Sequence, residues 1–86
     1  MNIELIKQKI KELDTNNILD DIHVDLRNSA IVFINNEDRT ILFYRGLFYR
    51  GKGRIITLGK IKNKDFEIFL ENNADKIQQV VKQIKG

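Results

Sequence analysis

The sequence contains no cysteine and no proline, and it has a single histidine among 86 residues. Without cysteine, neither a disulfide nor a thiolate metal site can form. No apolar run approaches the roughly 20 residues that a membrane-spanning helix needs. The amino terminus also lacks the unbroken apolar stretch of a secretory signal, and no Gly/Ser-rich linker divides the chain. We therefore expect a single cytoplasmic domain over residues 1–86.

Acidic residues are also absent from the stretch between Arg39 and Lys64, where the positive charge of the chain is concentrated. The cations of this stretch are Arg39, Arg45, Arg50, Lys52, Arg54, Lys60, Lys62 and Lys64. The net charge of the whole chain is only +3, so the segments on either side are net negative. Because eight like charges without counterions repel one another, the pattern favours an anionic partner.

Aromatic residues are interleaved with these cations. The block Phe-Tyr-Arg-Gly occurs twice, at residues 43–46 and 48–51. Cations that follow phosphates, together with aromatic rings that stack on bases, are typical of proteins that bind single-stranded nucleic acid. Large apolar side chains are more often core residues, and Tyr44 and Tyr49 are the better stacking candidates.

Two segments have the three- and four-residue apolar spacing of amphipathic helices. The first runs from Ile3 to Leu13 and ends at Asp14. The second follows Asn63, which can cap it, and the Asn72-Asn73 pair is a point where it could kink or restart. Its apolar stripe consists of Phe66, Phe69, Leu70, Ile77, Val81 and Ile84, with Ala74 between them.

Between the helices the pattern predicts strands. Residues 21–27 alternate apolar and polar, residues 30–34 are apolar on both faces, and residues 40–50 and 54–58 follow after turn signals. We therefore predict an α+β fold. It has a short N-terminal helix, a four-stranded antiparallel meander sheet and a long C-terminal helix packed on one face.

The five-residue repeat conflicts with an unbroken third strand, because side chains alternate with a period of two. A glycine bulge at Gly46 would restore the match and place Phe43, Arg45, Phe48 and Arg50 on one face. Tyr44 and Tyr49 would then lie on the other face. A tight turn at Arg45-Gly46 is the alternative geometry. We favour the bulge, since Arg-Gly is a poorer hairpin dipeptide than Asn-Gly.

Catalytic and metal-binding patterns are weak in this sequence. Asp21, His23 and Asp25 share one face of the first strand, but no second histidine or thiolate accompanies them. No Ser or Thr is positioned as a nucleophile beside His23. We expect no enzymatic activity, no metal and no cofactor.

The carboxy-terminal half resembles the positive-cofactor-four family of transcriptional coactivators and its single-stranded-DNA-binding bacterial relatives. The likeness lies in the segments Ile41-Leu42-Phe43-Tyr44-Arg45, Gly51-Lys52-Gly53-Arg54 and Ile55-Ile56-Thr57-Leu58, followed by a helix that opens with Asp65-Phe66. The resemblance implies a strongly curved sheet that binds single strands through basic and aromatic residues, and a helix that pairs two subunits into a homodimer.

Two hypotheses follow from these patterns. The first is a non-enzymatic module that binds single-stranded DNA or RNA through a basic, aromatic β-hairpin. Its candidate contacts are Arg39, Tyr44, Arg45, Tyr49, Arg50, Lys52, Arg54, Lys60 and Lys62. The second is a small inhibitor or regulator, of the kind found in phages and mobile elements, that docks the basic hairpin on an acidic protein surface.

Overall fold

The computed structural model describes residues 2–50, 54–55 and 61–85. Its first helix, α1, covers Ile3–Leu13, as the isoleucine spacing predicts. Asn2 caps this helix, because Asn2 Oδ1 accepts a hydrogen bond of 2.8 Å from the backbone N–H of Leu5. Ile6 and Ile10 are fully buried, so the apolar face of α1 packs into the core.

The second helix, α2, runs without a break over Lys64–Lys85. Asn63 caps it as predicted, with Oδ1 accepting from the backbone N–H of Phe66 at 3.1 Å. The expected weak point at Asn72-Asn73 does not interrupt the helix. The Asn73 side chain donates to the carbonyl of Phe69 at 2.9 Å, one turn earlier, and the backbone continues past it. Among the described residues, neither helix has an apolar stretch that could cross a membrane.

Within the described residues, five strands form one antiparallel sheet in the order of the chain. The strands are β1 (Asp21–Asp25), β2 (Ala30–Asn35), β3 (Arg39–Tyr44), β4 (Leu47–Arg50) and β5 (Arg54–Ile55). The predicted α+β fold and meander are therefore confirmed, with one additional strand. Residues 56–58 of the predicted last strand lie outside the described residues, and β1 ends two residues earlier than expected, which puts Arg27 in the β1–β2 turn.

The additional strand arises because a two-residue turn at Arg45-Gly46 joins β3 to β4, so the predicted bulge at Gly46 is wrong. Both turn residues have positive φ, 52° and 81°, as the type I′ turn of a tight hairpin requires. Tyr44 faces Leu47, and one step outward on each strand brings Phe43 opposite Phe48. A repeat of five residues conflicts with one continuous strand, but it is the spacing that aligns two residues across a two-residue hairpin.

The turn places the phenylalanines and the tyrosines of the repeat on opposite faces of the sheet, as the predicted bulge would also have done. Phe43 and Phe48 are opposite each other and buried, and Arg50 shares their face because side chains alternate. Tyr44 and Tyr49 lie on the other face. Arg45 is the exception, since it occupies the turn.

We expect Gly46→Ala to destabilise the protein by about 1 kcal/mol, because alanine is strained at positive φ. A Cβ at this position would meet Gln78 Oε1 at 3.7 Å, an ordinary contact, so the cost is that of the backbone alone. Urea denaturation measures it. The change Arg45→Asn in the same turn should act in the opposite direction, because asparagine tolerates positive φ. Equal stability of Gly46→Ala and the unchanged protein would contradict the turn geometry.

The core lies between one face of the sheet and the two helices. Phe33 of β2 is fully buried, and its ring lies 6.1 Å from that of Phe69 in α2 and 6.5 Å from that of Phe48 in β4. Phe48 in turn lies 5.0 Å from Phe43. These edge-to-face and tilted aromatic contacts tie α2 to the middle of the sheet.

Candidate functional site

The opposite face of the sheet is covered by neither helix within the described part of the chain. Its positions alternate with those of the core, and they include Val32, Leu42, Tyr44 and Tyr49, which are all partly exposed. Leu47, beside Tyr44, is 44% exposed. We call this surface the uncovered face. It is apolar and aromatic in the middle of the sheet.

One row of the uncovered face runs across four strands. His23, Val32, Leu42 and Tyr49 are successive cross-strand neighbours. Asp21 and Asp25 lie on the same face of β1, and His23 Nε2 is 3.6 Å from Asp21 Oδ2. The face is therefore acidic along β1 and aromatic along β3 and β4. Within the described ranges, no three His, Asp or Glu side chains are close enough to hold a metal ion.

The candidate binding residues are divided between the two ends of the sheet. The β2–β3 turn and the start of α2 lie at one end, with Arg39, Arg50 and Lys62, and we call it the Arg39 end. The β1–β2 and β3–β4 turns lie at the other, with Tyr44 and Arg45, and we call it the Arg45 end. The structure therefore does not bring these residues to one hairpin surface.

At the Arg39 end, Arg50 is held by a buried carboxylate. Its Nη2 donates to Asp38 Oδ1 at 3.0 Å, and the Asp38 side chain is 0% exposed. The same carboxylate accepts hydrogen bonds from the backbone N–H groups of Lys62 at 2.7 Å and Asn63 at 2.9 Å. The acidic residue that neutralises Arg50 stands immediately before the acid-free stretch. This geometry gives Arg50 a structural role.

The network also sets the ionisation of Asp38. Burial by itself raises the pKa of this carboxyl, but hydrogen bonds from the amides of Asn63 and Lys62 and from Arg50 outweigh it. The pKa of Asp38 therefore lies below its ordinary value of 3.8. Asp38 is ionised at neutral pH, and it joins the β2–β3 turn, β4 and the start of α2.

The other cations of the Arg39 end have acidic neighbours. Arg39 is exposed and follows Asp38 directly, and Lys62 is exposed, with its backbone N–H donating to Asp38 Oδ1. A shallow depression at this end is lined by Asp20, Glu37 and Asp65, together with several asparagines. Positive charge at this end is therefore mixed with negative charge.

The Arg45 end has a different electrostatic character. The guanidinium carbon of Arg45 lies 5.0 Å from the centre of the Tyr44 ring, a cation–π contact. A cavity of about 410 Å³ opens beside this pair. Arg27 of the β1–β2 turn and Lys82 of α2 also line it, and none of its described lining residues carries a carboxylate.

Sequence reasoning missed Arg27 and Lys82, which lie outside the acid-free stretch. A signal was present for Arg27, because alternate turns of a meander lie at the same end of the sheet. Once Arg45-Gly46 is recognised as a turn, it belongs beside the β1–β2 turn. Lys82 follows the buried Val81 in the stripe of α2 and could be placed only by knowing where that helix crosses the sheet.

Three candidate residues are less fully described. Arg54 lies in β5, where it pairs with Arg50. Lys52 and Lys60 lie outside the described residues, as does the predicted hairpin tip at residues 51–53. Their roles stay predictions.

No protein-family model, curated protein sequence or solved structure matches this chain. The resemblance to the coactivator family therefore stays a prediction. The proposed function therefore depends on the residues of this chain alone.

Proposed function

We propose that the protein binds single-stranded nucleic acid on the uncovered face of its sheet and carries out no chemistry on it. The observation that supports this most strongly is the pair of partly exposed tyrosines, Tyr44 and Tyr49, on a face that neither helix covers. A sheet with helices on one side only leaves aromatic side chains of its other face free to stack on unpaired bases.

The two tyrosines are spaced for neighbouring contacts. Tyr44 of β3 is opposite Leu47 of β4, and Tyr49 is two residues beyond Leu47 in β4. The two tyrosines are therefore diagonal neighbours on adjacent strands. Such neighbours are about 7–8 Å apart between Cα atoms and within reach of a shared ligand. Each base stacked on an aromatic ring contributes about 1–3 kcal/mol with little dependence on sequence. We expect weak base specificity.

Charge favours a path over β3 and β4. Asp21 and Asp25 make the β1 edge of the face repulsive to phosphates, whereas Arg45 adjoins Tyr44 at the Arg45 end. Arg27 and Lys82 extend this positive region. The proposed site thus keeps Tyr44, Arg45 and Tyr49 from the sequence prediction and adds Arg27 and Lys82. It leaves out Arg50, which is paired with Asp38.

The change Tyr49→Leu should weaken binding of a fluorescent single-stranded oligonucleotide by at least about fivefold, because leucine cannot stack on a base. Tyr49→Phe is the matched control and should bind like the unchanged protein, since the ring is retained. Fluorescence anisotropy at low salt measures the three affinities. Absence of binding by the unchanged protein, or equal affinities of the leucine and phenylalanine variants, would contradict the proposal.

An acidic protein partner is the competing hypothesis, and it draws on the same cations. Phosphate contacts give a salt dependence of about −0.7 in log affinity against log salt for each phosphate of a single strand. A pull-down from nuclease-treated lysate separates the hypotheses, because a protein partner survives the treatment. Loss of all captured material with nuclease favours the nucleic acid.

A further inference from the structure

The cavity at the Arg45 end is built differently from the rest of the proposed interface. The β1–β2 turn, the β3–β4 turn and α2 line it, and its volume of about 410 Å³ lies in the range of sites for small ligands. Its described lining residues are Arg27, Asn28, Ser29, Tyr44, Arg45, Gln78, Val81 and Lys82.

Three cations converge on this cavity without a carboxylate in its described lining. Asp25 is the last residue of β1, two positions before Arg27. Both of its carboxylate oxygens accept hydrogen bonds from Asn28, at 3.1 Å from the backbone N and 2.8 Å from Nδ2. Asp25 is not part of the lining. Because electrostatic attraction grows with charge, these three cations attract a doubly charged anion more strongly than a singly charged one.

A buried polar atom without a partner lies at the same place. Gln78 Oε1 is inaccessible to solvent, forms no hydrogen bond, and lies close to Gly46 in the β3–β4 turn. Buried polar atoms of side chains nearly always have a partner. Gln78 also lines the cavity, so its side-chain NH₂ group can donate to an oxygen of a bound anion.

Tyr44 connects the cavity to the uncovered face. It lies on that face opposite Leu47, and it also lines the cavity. On the inner side the cavity is lined by α2 at Gln78 and Val81. A strand that lies on the uncovered face can place its end in the cavity beside Tyr44.

We propose that this cavity binds the terminal phosphate of the single strand whose bases lie on the uncovered face. The inference rests on the proposed function for the identity of the strand. A terminal phosphate carries nearly two negative charges at neutral pH, against one for an internal phosphate. Arg27, Arg45 and Lys82 supply the positive charge, and the Gln78 amide supplies a donor.

The test compares three oligonucleotides of one sequence, which carry a 5′-phosphate, a 3′-phosphate or hydroxyl groups at both ends. One phosphorylated form should bind about tenfold tighter than the hydroxyl form, because the terminal phosphate adds hydrogen bonds to charged groups. Lys82→Gln should reduce this advantage to less than about threefold. Lys76→Gln removes the same charge from an exposed position of α2 outside the cavity lining and should preserve the advantage.

A second measurement locates the phosphate. The side-chain amide signals of Gln78 in a ¹H–¹⁵N NMR spectrum should shift with the preferred phosphorylated oligonucleotide and stay in place with the hydroxyl form. Equal affinity for all three oligonucleotides would overturn this inference and leave the proposed function standing. An advantage that Lys82→Gln retains would also overturn it, and absence of binding to any oligonucleotide would overturn both proposals.

Discussion

Asp38→Ala is expected to lower the free energy of unfolding by about 3 kcal/mol, since removing one partner of a buried charge network leaves the others unsatisfied. The carboxylate holds the backbone N–H groups of Lys62 and Asn63 and the guanidinium of Arg50. The two amides are the larger contribution. Arg50 is 36% exposed, so water replaces part of what it loses.

The loss expected for Asp38→Ala is large relative to the total free energy of unfolding. A domain of this length has a stability of about 4–13 kcal/mol, so the variant could lose half of it. Urea denaturation by circular dichroism measures the change. Asp75→Ala is the matched control, because Asp75 is exposed on α2, and its stability should stay within about 0.5 kcal/mol of the unchanged protein. Equal losses in the two variants would mean that the Asp38 network does not hold the fold.

The same network predicts how stability depends on pH. The pKa of Asp38 is lower in the folded state than its ordinary value, so the ionised carboxylate stabilises the fold above the unfolded-state pKa. That contribution is lost as the pH falls through the folded-state value. Asp38→Asn should therefore show a shallower loss of stability on acidification. The loss does not vanish, because hydrogen bonds from Asn28 also lower the pKa of Asp25.

Phe33→Ala is expected to destabilise the protein by about 3–5 kcal/mol, the usual cost of truncating a buried phenylalanine. Phe33 is fully buried, and its ring contacts those of Phe48 and Phe69. Its removal opens a cavity between the sheet and α2 that the surrounding strands cannot close. Thermal and urea unfolding, followed by far-ultraviolet circular dichroism, give the magnitude.

Val32→Ala is the matched control for Phe33→Ala. Val32 is the preceding residue of the same strand and points to the uncovered face, where it is only partly buried. Its truncation should cost about 1 kcal/mol or less. A loss as large as that of Phe33→Ala would show that the face is covered in solution. The pair of variants therefore measures the asymmetry of the sheet on which the proposed function depends.

The sequence predicted the helices well because their signals are local. The cap at Asn63 and the isoleucine spacing of α1 involve residues no more than four positions apart. The first strand was predicted by alternation, the second by a short apolar run, and the later ones by the turn signals around them. The turn at Arg45-Gly46 was misjudged, because the preference of a dipeptide was weighed without the pairing of Phe43 with Phe48 that offsets the strain at Arg45.

The sequence by itself determined the α+β class and the order of the helices and the sheet, which follow from periodicity and from turn residues. It also predicted the separation of Tyr44 and Tyr49 from the core phenylalanines, but through a bulge at Gly46 where the structure has a turn. It also determined the excess of positive charge, but not where that charge lies.

Only the tertiary structure decided which cations have counterions. Asp38 and Arg50 are 12 residues apart in the chain, yet they form an ion pair. Arg27 and Lys82 are 55 residues apart in the chain, yet they join Arg45 at one cavity. Electrostatic interaction depends on distance in space and on burial, and sequence separation measures neither. Among the described residues of the basic stretch, Arg50 is therefore paired with a buried carboxylate, whereas Arg45 lies with two other cations.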